Sequence, residues 1–109
     1  MIDQIRPATF APWIAAQNGA APLVLDVRET WEFNLACVRP LGNAQAFDVL
    51  SMPMPEIPAR LAELPTDRPI ACLCHHGIRS QQVARYLLQQ GFEQVVNIAG
   101  GIAAWSDEA

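Results

Sequence analysis

Residues 70–80 read Ile-Ala-Cys-Leu-Cys-His-His-Gly-Ile-Arg-Ser, and this stretch decides both the fold and the candidate chemistry. The apolar run before Cys74 predicts a buried strand, and the short loop after it leads into a predicted helix. Backbone N–H groups of a tight loop and the positive end of the following helix both stabilise an anion at a cysteine sulfur. Arg79 adds a positive charge five positions after the thiol. This order of strand, cysteine, loop and helix indicates an enzyme with a nucleophilic cysteine.

Predicted strands and helices alternate on both sides of this stretch. The predicted strands cover residues 22–27, 44–47, 69–73 and 92–98. Three predicted helices cover residues 9–17, 28–34 and 57–64. A fourth is capped by Ser80 and ends at Gly91, and a closing helical segment lies within residues 99–105. This alternation predicts an α/β fold with an open, mostly parallel sheet and helices on both faces. Ligands bind such sheets outside the carboxyl ends of the strands, so the Cys74 loop and residues 26–28 are expected to meet there.

Length, composition and charge limit the class of protein. A chain of 109 residues is the size of one domain, which we expect to span residues 1–109. The formal charge of −4 argues against nucleic-acid and anionic-membrane partners, whereas a small anionic substrate stays open because a loop has its own local field. No apolar stretch has the length of a membrane span, and residues 1–7 show no signal-peptide pattern.

The three cysteines do not form a secreted disulfide pattern, which predicts free thiols and a reducing cytoplasm. Cys72 lies inside a predicted strand and is expected to be a buried core residue. Cys37 is either a small apolar residue or a second redox thiol. Neighbouring cysteines and histidines rarely converge on one tetrahedral ion, so we expect no metal site and no cofactor.

Three motifs, taken in chain order, resemble the rhodanese-like single-domain sulfurtransferase family. Residues 25–33 (LDVRETWEF), 74–80 (CHHGIRS) and 97–105 (NIAGGIAAW) are similar to the family's first motif, active-site loop and closing motif. One departure is the segment of residues 36–41 (ACVRPL), which lacks the glycine and histidine that the family usually carries there.

The resemblance implies the rhodanese fold, a parallel five-stranded sheet with helices on each side, and a persulfide mechanism. Cys74 would be the catalytic residue: it would take a sulfane sulfur from a small anionic donor such as thiosulfate and pass it to cyanide, a thiol or a protein. The expected substrate-binding residues are those of the loop: His75, His76, Gly77, Ile78, Arg79 and Ser80. Asp26 and Arg28 are expected to form a salt-bridged supporting shell.

Two other functions fit the same residues. A cysteine and an arginine in one loop can cradle a tetrahedral oxyanion, as in a cysteine-dependent phosphatase or an arsenate reductase. The four residues between Cys74 and Arg79 give a loop one residue shorter than in the family's phosphatase relatives, which favours a single sulfur over a phosphate. The other alternative is a non-catalytic sulfur-relay or regulatory module that docks a partner through the proline-rich residues 53–65.

Overall fold

The computed structural model describes residues 2–17, 21–38 and 47–108, which contain five strands in one sheet. The strands are β1 (Asp3–Ile5), β2 (Leu23–Asp26), β3 (Asp48–Ser51), β4 (Ile70–Leu73) and β5 (Val95–Ile98). Their order across the sheet is β1-β5-β4-β2-β3, and every neighbouring pair is parallel. The predicted α/β fold with an open parallel sheet is confirmed.

Helices cover both faces of this sheet. They are α1 (Phe10–Ala15), α2 (Thr30–Leu35), α3 (Ile78–Gln89) and α4 (Gly101–Glu108). The chain also has 3₁₀ segments at Pro7–Thr9, Met54–Glu56 and Pro58–Glu63. Val83, Ala84 and Leu87 of α3 pack in one core cluster, whereas Phe10 of α1 and Ile102 of α4 pack in a second cluster. The two clusters are the two hydrophobic layers that a sheet covered on both faces requires.

The apolar strands divide their side chains between these layers. Every residue of β2, β4 and β5 is buried. Leu25 and Cys72 belong to the cluster that contains α3, whereas Val24, Ala71 and Leu73 belong to the other. This alternation follows from the period of two along a strand, and it explains why the sequence of β4 shows no polar face.

The two edge strands differ from the sequence-based prediction. No strand was expected at Asp3–Ile5, because this short segment is mostly exposed and lacks an apolar run. The strand expected at residues 44–47 lies outside the described residues except for Phe47, which precedes β3. An edge strand needs few apolar residues because only one of its sides is paired, so hydrophobic pattern alone marks it weakly.

Several helix predictions were also corrected in detail. The expected helix at residues 57–64 is instead 3₁₀, since the prolines of this stretch remove backbone donors. Gly77 rather than Ser80 is the N-cap of α3, so Ser80 lies inside the first turn. In α2, Trp31 and Leu35 are 64% and 78% exposed.

The sheet brings the predicted site segments to one edge. Asp26 and Leu73, the last residues of β2 and β4, are directly paired. The backbone N–H of Val27 then donates to the carbonyl of Leu73 at 2.9 Å. Residues 26–28 and the loop that begins at Cys74 therefore leave the sheet side by side at its carboxyl edge.

Candidate active site

The sulfur of Cys74 is surrounded by hydrogen-bond donors from the loop and the first turn of α3. The backbone N–H of Gly77 lies 3.0 Å from Sγ, and the hydroxyl oxygen of Ser80 lies 3.3 Å from it. The loop bends back on itself because Gly77 has a φ of 102°, a conformation that side-chain-bearing residues rarely adopt. Nearby main-chain donors and the N-terminus of α3 therefore face the same atom.

These donors decide the protonation state of the thiol. Burial raises the pKa of Cys74, but hydrogen bonds from the Ser80 hydroxyl and from the backbone N–H groups of Ser80, Gly77 and His76 outweigh it, so the pKa is lowered. At Cys72, by contrast, burial and the nearby Cys74 charge raise the pKa far above its ordinary value. Of these two thiols, Cys74 is the one poised to be a thiolate.

Cys74 is less accessible than a nucleophile with an open approach. Only 1% of the residue is exposed. The amides nevertheless face the sulfur, so burial here is burial among donors and not only in an apolar core.

Ser80 connects the sulfur to a buried polar network that the sequence-based analysis did not include. The Ser80 hydroxyl lies 2.5 Å from Oδ1 of Asn97, whose amide nitrogen donates to the carbonyl of Gly77 at 3.1 Å and to Oε1 of Gln4 at 2.9 Å. Because a hydroxyl has one proton, Ser80 donates either to Asn97 or to the sulfur. The available signal was Asn97 itself, a polar residue inside the otherwise apolar strand β5.

The first turn of α4 holds the loop from its other side. The backbone N–H groups of Ile102 and Ala103 donate to the carbonyls of Cys74 and His75 at 2.9 and 3.0 Å. Gly101 permits this approach, since a Cβ at that position would lie only 2.5 Å from the His75 carbonyl oxygen. The paired glycines of the closing motif thus do more than form a turn: they let α4 fix the Cys74 backbone.

Arg79 is paired with a carboxylate, which the sequence-based analysis did not anticipate. Its guanidinium donates two hydrogen bonds of 3.0 Å to Glu32 of α2. Hydrogen bonding from Arg79 lowers the pKa of Glu32 to about 2, against an opposing effect of burial. The same hydrogen bonds raise the pKa of Arg79. The positive charge near the thiol is therefore matched by a negative one.

Asp26 and Arg28 form the expected salt bridge beneath the loop. Arg28 donates to the two carboxylate oxygens of Asp26 at 2.8 and 2.6 Å, and both residues are buried. Arg28 also donates to the carbonyls of Glu32 and Ala36 at 3.4 and 2.7 Å. The hydrogen bond to Asp26 raises the pKa of Arg28 despite burial. This bidentate pair fixes the end of α2, and with it the position of Glu32.

Three residues of the loop, His75, His76 and Arg79, line a cleft of about 510 Å³. The rings of His75 and His76, which both line it, pack edge to face with 4.2 Å between their centroids. Ile78 is 71% exposed and is not a cleft residue. The cleft residues are Arg28, Trp31, Glu32, Leu35, Ala36, His75, His76, Arg79 and Ile102. Within residues 2–17, 21–38 and 47–108, no three potential metal ligands cluster.

This fold and loop belong to a known class: the chain is a member of the rhodanese-like family, whose domain model matches residues 11–108. A protein named "Sulfurtransferase" from Allochromatium vinosum is 48% identical over 106 residues, covering 97% of this chain and 90% of that one. "Thiosulfate sulfurtransferase GlpE" from Vibrio cholerae is 33% identical over 82 residues, covering 75% of this chain and 70% of that one.

A solved structure supports the same assignment. The rhodanese-related protein of Thermoplasma volcanium superimposes with a TM-score of 0.79 at 28% identity, covering 98% of this chain and 93% of that one. The resemblance that the three sequence motifs indicated is confirmed. Family and relatives together establish a role in sulfur transfer, which requires a sulfur donor and a sulfur acceptor. None of the described helices has both the length and the apolar character of a membrane span.

Proposed function

We propose that the protein transfers a sulfane sulfur from a donor such as thiosulfate to a thiophilic acceptor through a persulfide on Cys74. The observation that carries the proposal is the set of donors at Sγ, with the Gly77 N–H at 3.0 Å and the Ser80 hydroxyl at 3.3 Å. A thiol whose pKa such donors lower is a better nucleophile at neutral pH than an ordinary cysteine.

The reaction consists of two displacements at sulfur. In the first, the Cys74 thiolate attacks the outer sulfur of thiosulfate, a new S–S bond forms, and sulfite leaves with the electron pair of the broken bond. In the second, cyanide, a thiolate or a protein cysteine attacks the outer sulfur of the persulfide, and the Cys74 thiolate leaves. No electrons are lost to an outside oxidant, and the enzyme returns to its starting state.

The loop residues have distinct roles in this scheme. The N–H of Gly77 and the hydroxyl of Ser80 stabilise negative charge on the thiolate and on the persulfide, as donors do in an oxyanion hole. His75, His76 and Arg79 line the cleft through which a donor arrives, whereas Ile78 is exposed outside it. Asp26 and Arg28 position the surrounding segments and do not touch the sulfur. A thiolate nucleophile needs no general base, so none is assigned.

Intact-mass measurement before and after thiosulfate, and again after cyanide, tests the proposal. The wild type should gain one sulfur atom and lose it to cyanide, with thiocyanate released. Cys74→Ser should gain none, whereas the matched control Cys72→Ser should load normally because Cys72 is buried in the core. A wild type that gains no sulfur from any sulfane donor would contradict the proposal.

The same experiment separates the alternatives. A non-catalytic relay would load sulfur but release no thiocyanate over repeated turnovers. A cysteine-dependent phosphatase would hydrolyse an aryl phosphate in a manner that depends on Cys74, and that result would replace the sulfurtransferase proposal. We also propose that the protein works in a reducing cytoplasm, with free thiols at Cys37, Cys72 and Cys74 as the supporting observation.

A further inference from the structure

Each described arginine that lines the cleft above the loop is already paired with a carboxylate. Within the part of the chain that the structure describes, the arginines that line it are Arg28 and Arg79. Arg28 donates hydrogen bonds of 2.8 and 2.6 Å to the carboxylate of Asp26. Arg79 donates two hydrogen bonds of 3.0 Å to the carboxylate of Glu32. A small dianion such as thiosulfate that enters this cleft must compete with Glu32 for the guanidinium of Arg79 and approaches the Glu32 carboxylate as it does so.

The wall of the same cleft is apolar. Trp31, Leu35, Ala36 and Ile102 line it, and we refer to these four residues as the apolar wall. Trp31 and Leu35 lie four positions apart on α2 and are 64% and 78% exposed. Large apolar side chains that are this exposed, in a cleft that His75 and His76 of the Cys74 loop also line, are suited to contact an apolar part of a ligand.

From these two features we propose a substrate class: the cleft selects a sulfane donor that carries one negative charge and an apolar group next to its sulfur, and Glu32 is the residue that discriminates against dianions. The proposal rests on the persulfide chemistry described above and adds a specificity to it. In the transfer step, the S–S bond of such a donor breaks, the Cys74 persulfide bond forms, and the sulfinate or thiolate of the apolar group leaves with the electron pair.

Three donors that share one reactive S–S arrangement separate charge from apolar contact. Thiosulfate is a dianion without an apolar group, methanethiosulfonate is a monoanion with a methyl group, and benzenethiosulfonate is a monoanion with a phenyl ring. The readout is kcat/KM for each donor with cyanide as acceptor, measured at one fixed pH for the wild type and all variants. The rate of alkylation by a neutral reagent reports the thiolate fraction of Cys74 in each variant, and kcat/KM is corrected for that fraction.

Glu32→Gln tests the charge argument. The single carbonyl oxygen of glutamine can accept hydrogen bonds from one guanidinium N–H of Arg79 and from the backbone N–H of Glu29, which Glu32 binds at 2.9 Å, so one of the two bonds to Arg79 is lost together with the charge. We expect kcat/KM to rise about tenfold for thiosulfate and about threefold for both monoanions, because the electrostatic free energy scales with the charge of the ligand. The matched control is Glu93→Gln, which makes the same change of net charge at an exposed residue beside the amino end of β5.

Leu35→Ala and Trp31→Ala test the apolar wall. The ratio of kcat/KM for benzenethiosulfonate to that for methanethiosulfonate should fall about threefold in each variant, as expected for a lost contact with a ring that is partly desolvated. This ratio is measured within one preparation, so it does not depend on how much of a variant is folded. It also cancels the intrinsic difference in reactivity between the two donors, which is the same in every variant.

The outcomes distinguish the two levels of the proposal. The substrate class is overturned if Glu32→Gln changes thiosulfate turnover no more than Glu93→Gln does, or if neither wall variant changes the donor ratio, while Cys74 still loads sulfur. Failure of the wild type to load sulfur from all three donors would instead contradict the sulfurtransferase proposal itself.

Discussion

Cys72 and Cys74 are neighbours on one side of a strand and its extension, yet their surroundings give their thiols opposite properties. Cys72 lies in β4 and is wholly buried in the core cluster that contains α3. Cys74 is almost as buried, at 1% exposed, but the Gly77 N–H lies 3.0 Å from its sulfur. Burial raises the pKa of the Cys72 thiol, whereas donors overcome the same effect at Cys74. The comparison teaches that what surrounds a buried sulfur, more than how deeply it is buried, decides its reactivity.

The largest effect on this comparison is expected from Gly101→Ala. A Cβ at residue 101 would collide with the carbonyls of Cys74 and His75, which accept hydrogen bonds from α4, so the loop must move while Cys72 stays in place. We expect sulfur loading of Cys74 to fall at least ~100-fold and the free energy of unfolding to drop by about 2–4 kcal/mol. Urea unfolding and the rate of sulfur loading measure the two effects.

Gly91→Ala is the matched control for this prediction. Gly91 also has a positive φ, of 96°, but no atom lies within 4 Å of the Cβ that alanine would add. It should lose about 1 kcal/mol through backbone strain alone and keep its loading rate. Equal loading rates in the two variants would show that α4 does not hold the Cys74 loop in its reactive form.

A smaller effect is expected from Ser80→Ala, which removes one donor from the sulfur without changing the loop backbone. The pKa of Cys74 should rise, since the Ser80 hydroxyl lies 3.3 Å from Sγ and is the main hydrogen-bonding cause of the lowered pKa. The rate of alkylation by iodoacetamide at neutral pH should fall about tenfold, the worth of one hydrogen bond to a charged group.

Two readouts make the Ser80 prediction specific. The pH profile of alkylation should shift to higher pH in Ser80→Ala, while the rate at its alkaline plateau stays close to that of the wild type. Ser80→Thr keeps the hydroxyl and should recover most of the neutral-pH rate. An unshifted profile in Ser80→Ala would mean that the backbone donors alone set the thiolate population.

The smallest effect concerns stability against pH, and the two thiols contribute with opposite signs. The folded pKa of Cys74 is lower than its unfolded value, so between the two values the unfolded state binds more protons and stability rises with pH. This contribution is lost as pH falls through the folded pKa. The folded pKa of Cys72 is raised, so its contribution is complete below the unfolded thiol pKa and declines as pH rises above it.

Alanine variants of the two cysteines isolate these contributions. Above the unfolded thiol pKa, the free energy of unfolding of the wild type should fall by about 1.4 kcal/mol per pH unit because of Cys72, and Cys72→Ala should lack this fall. At lower pH, the free energy of unfolding of the wild type should rise with pH because of Cys74, and Cys74→Ala should lack this rise. Denaturant unfolding at a series of pH values measures both slopes, and the absence of lysine from the sequence leaves few other groups that titrate in the alkaline window. Slopes of the same sign in the two variants would contradict the opposite pKa shifts.

The elements that the sequence predicted correctly are those that carry a dense local signal. The apolar runs at Leu23–Asp26 and Ile70–Leu73 became buried parallel strands, and the helix after the Cys74 loop became α3. The pairing of Asp26 with Arg28 also followed, because both residues leave one strand end together. Dense apolar patterns of this kind indicate burial, and the strands they predicted are buried in the structure.

What the sequence did not reveal depends on contacts between distant segments. The strand Asp3–Ile5 exists because it pairs with β5, more than 90 residues away, and its own residues show no strand pattern. The ion pair of Arg79 with Glu32 and the contact of Gly101 with the loop likewise join segments that no local rule connects. Ser80 resembled a helix cap because its side chain suits that role, but its place inside the first turn puts its hydroxyl within hydrogen-bond reach of both the sulfur and Oδ1 of Asn97.

The network from the sulfur through Ser80 and Asn97 reaches Gln4, on a strand at the rim of the sheet, and the Gln4 amide nitrogen donates onward to Gln81 at 3.3 Å. Gln4 is exposed, so its carboxamide is a natural spectroscopic reporter on a sulfur that solvent barely touches. In the proposed cycle Cys74 gains and then gives up a sulfur atom, and we expect Ser80 to share its single proton differently between the sulfur and Oδ1 of Asn97 in the two states. The nitrogen-15 resonance of the Gln4 side chain should therefore follow the enzyme through its cycle, without any label placed near the loop.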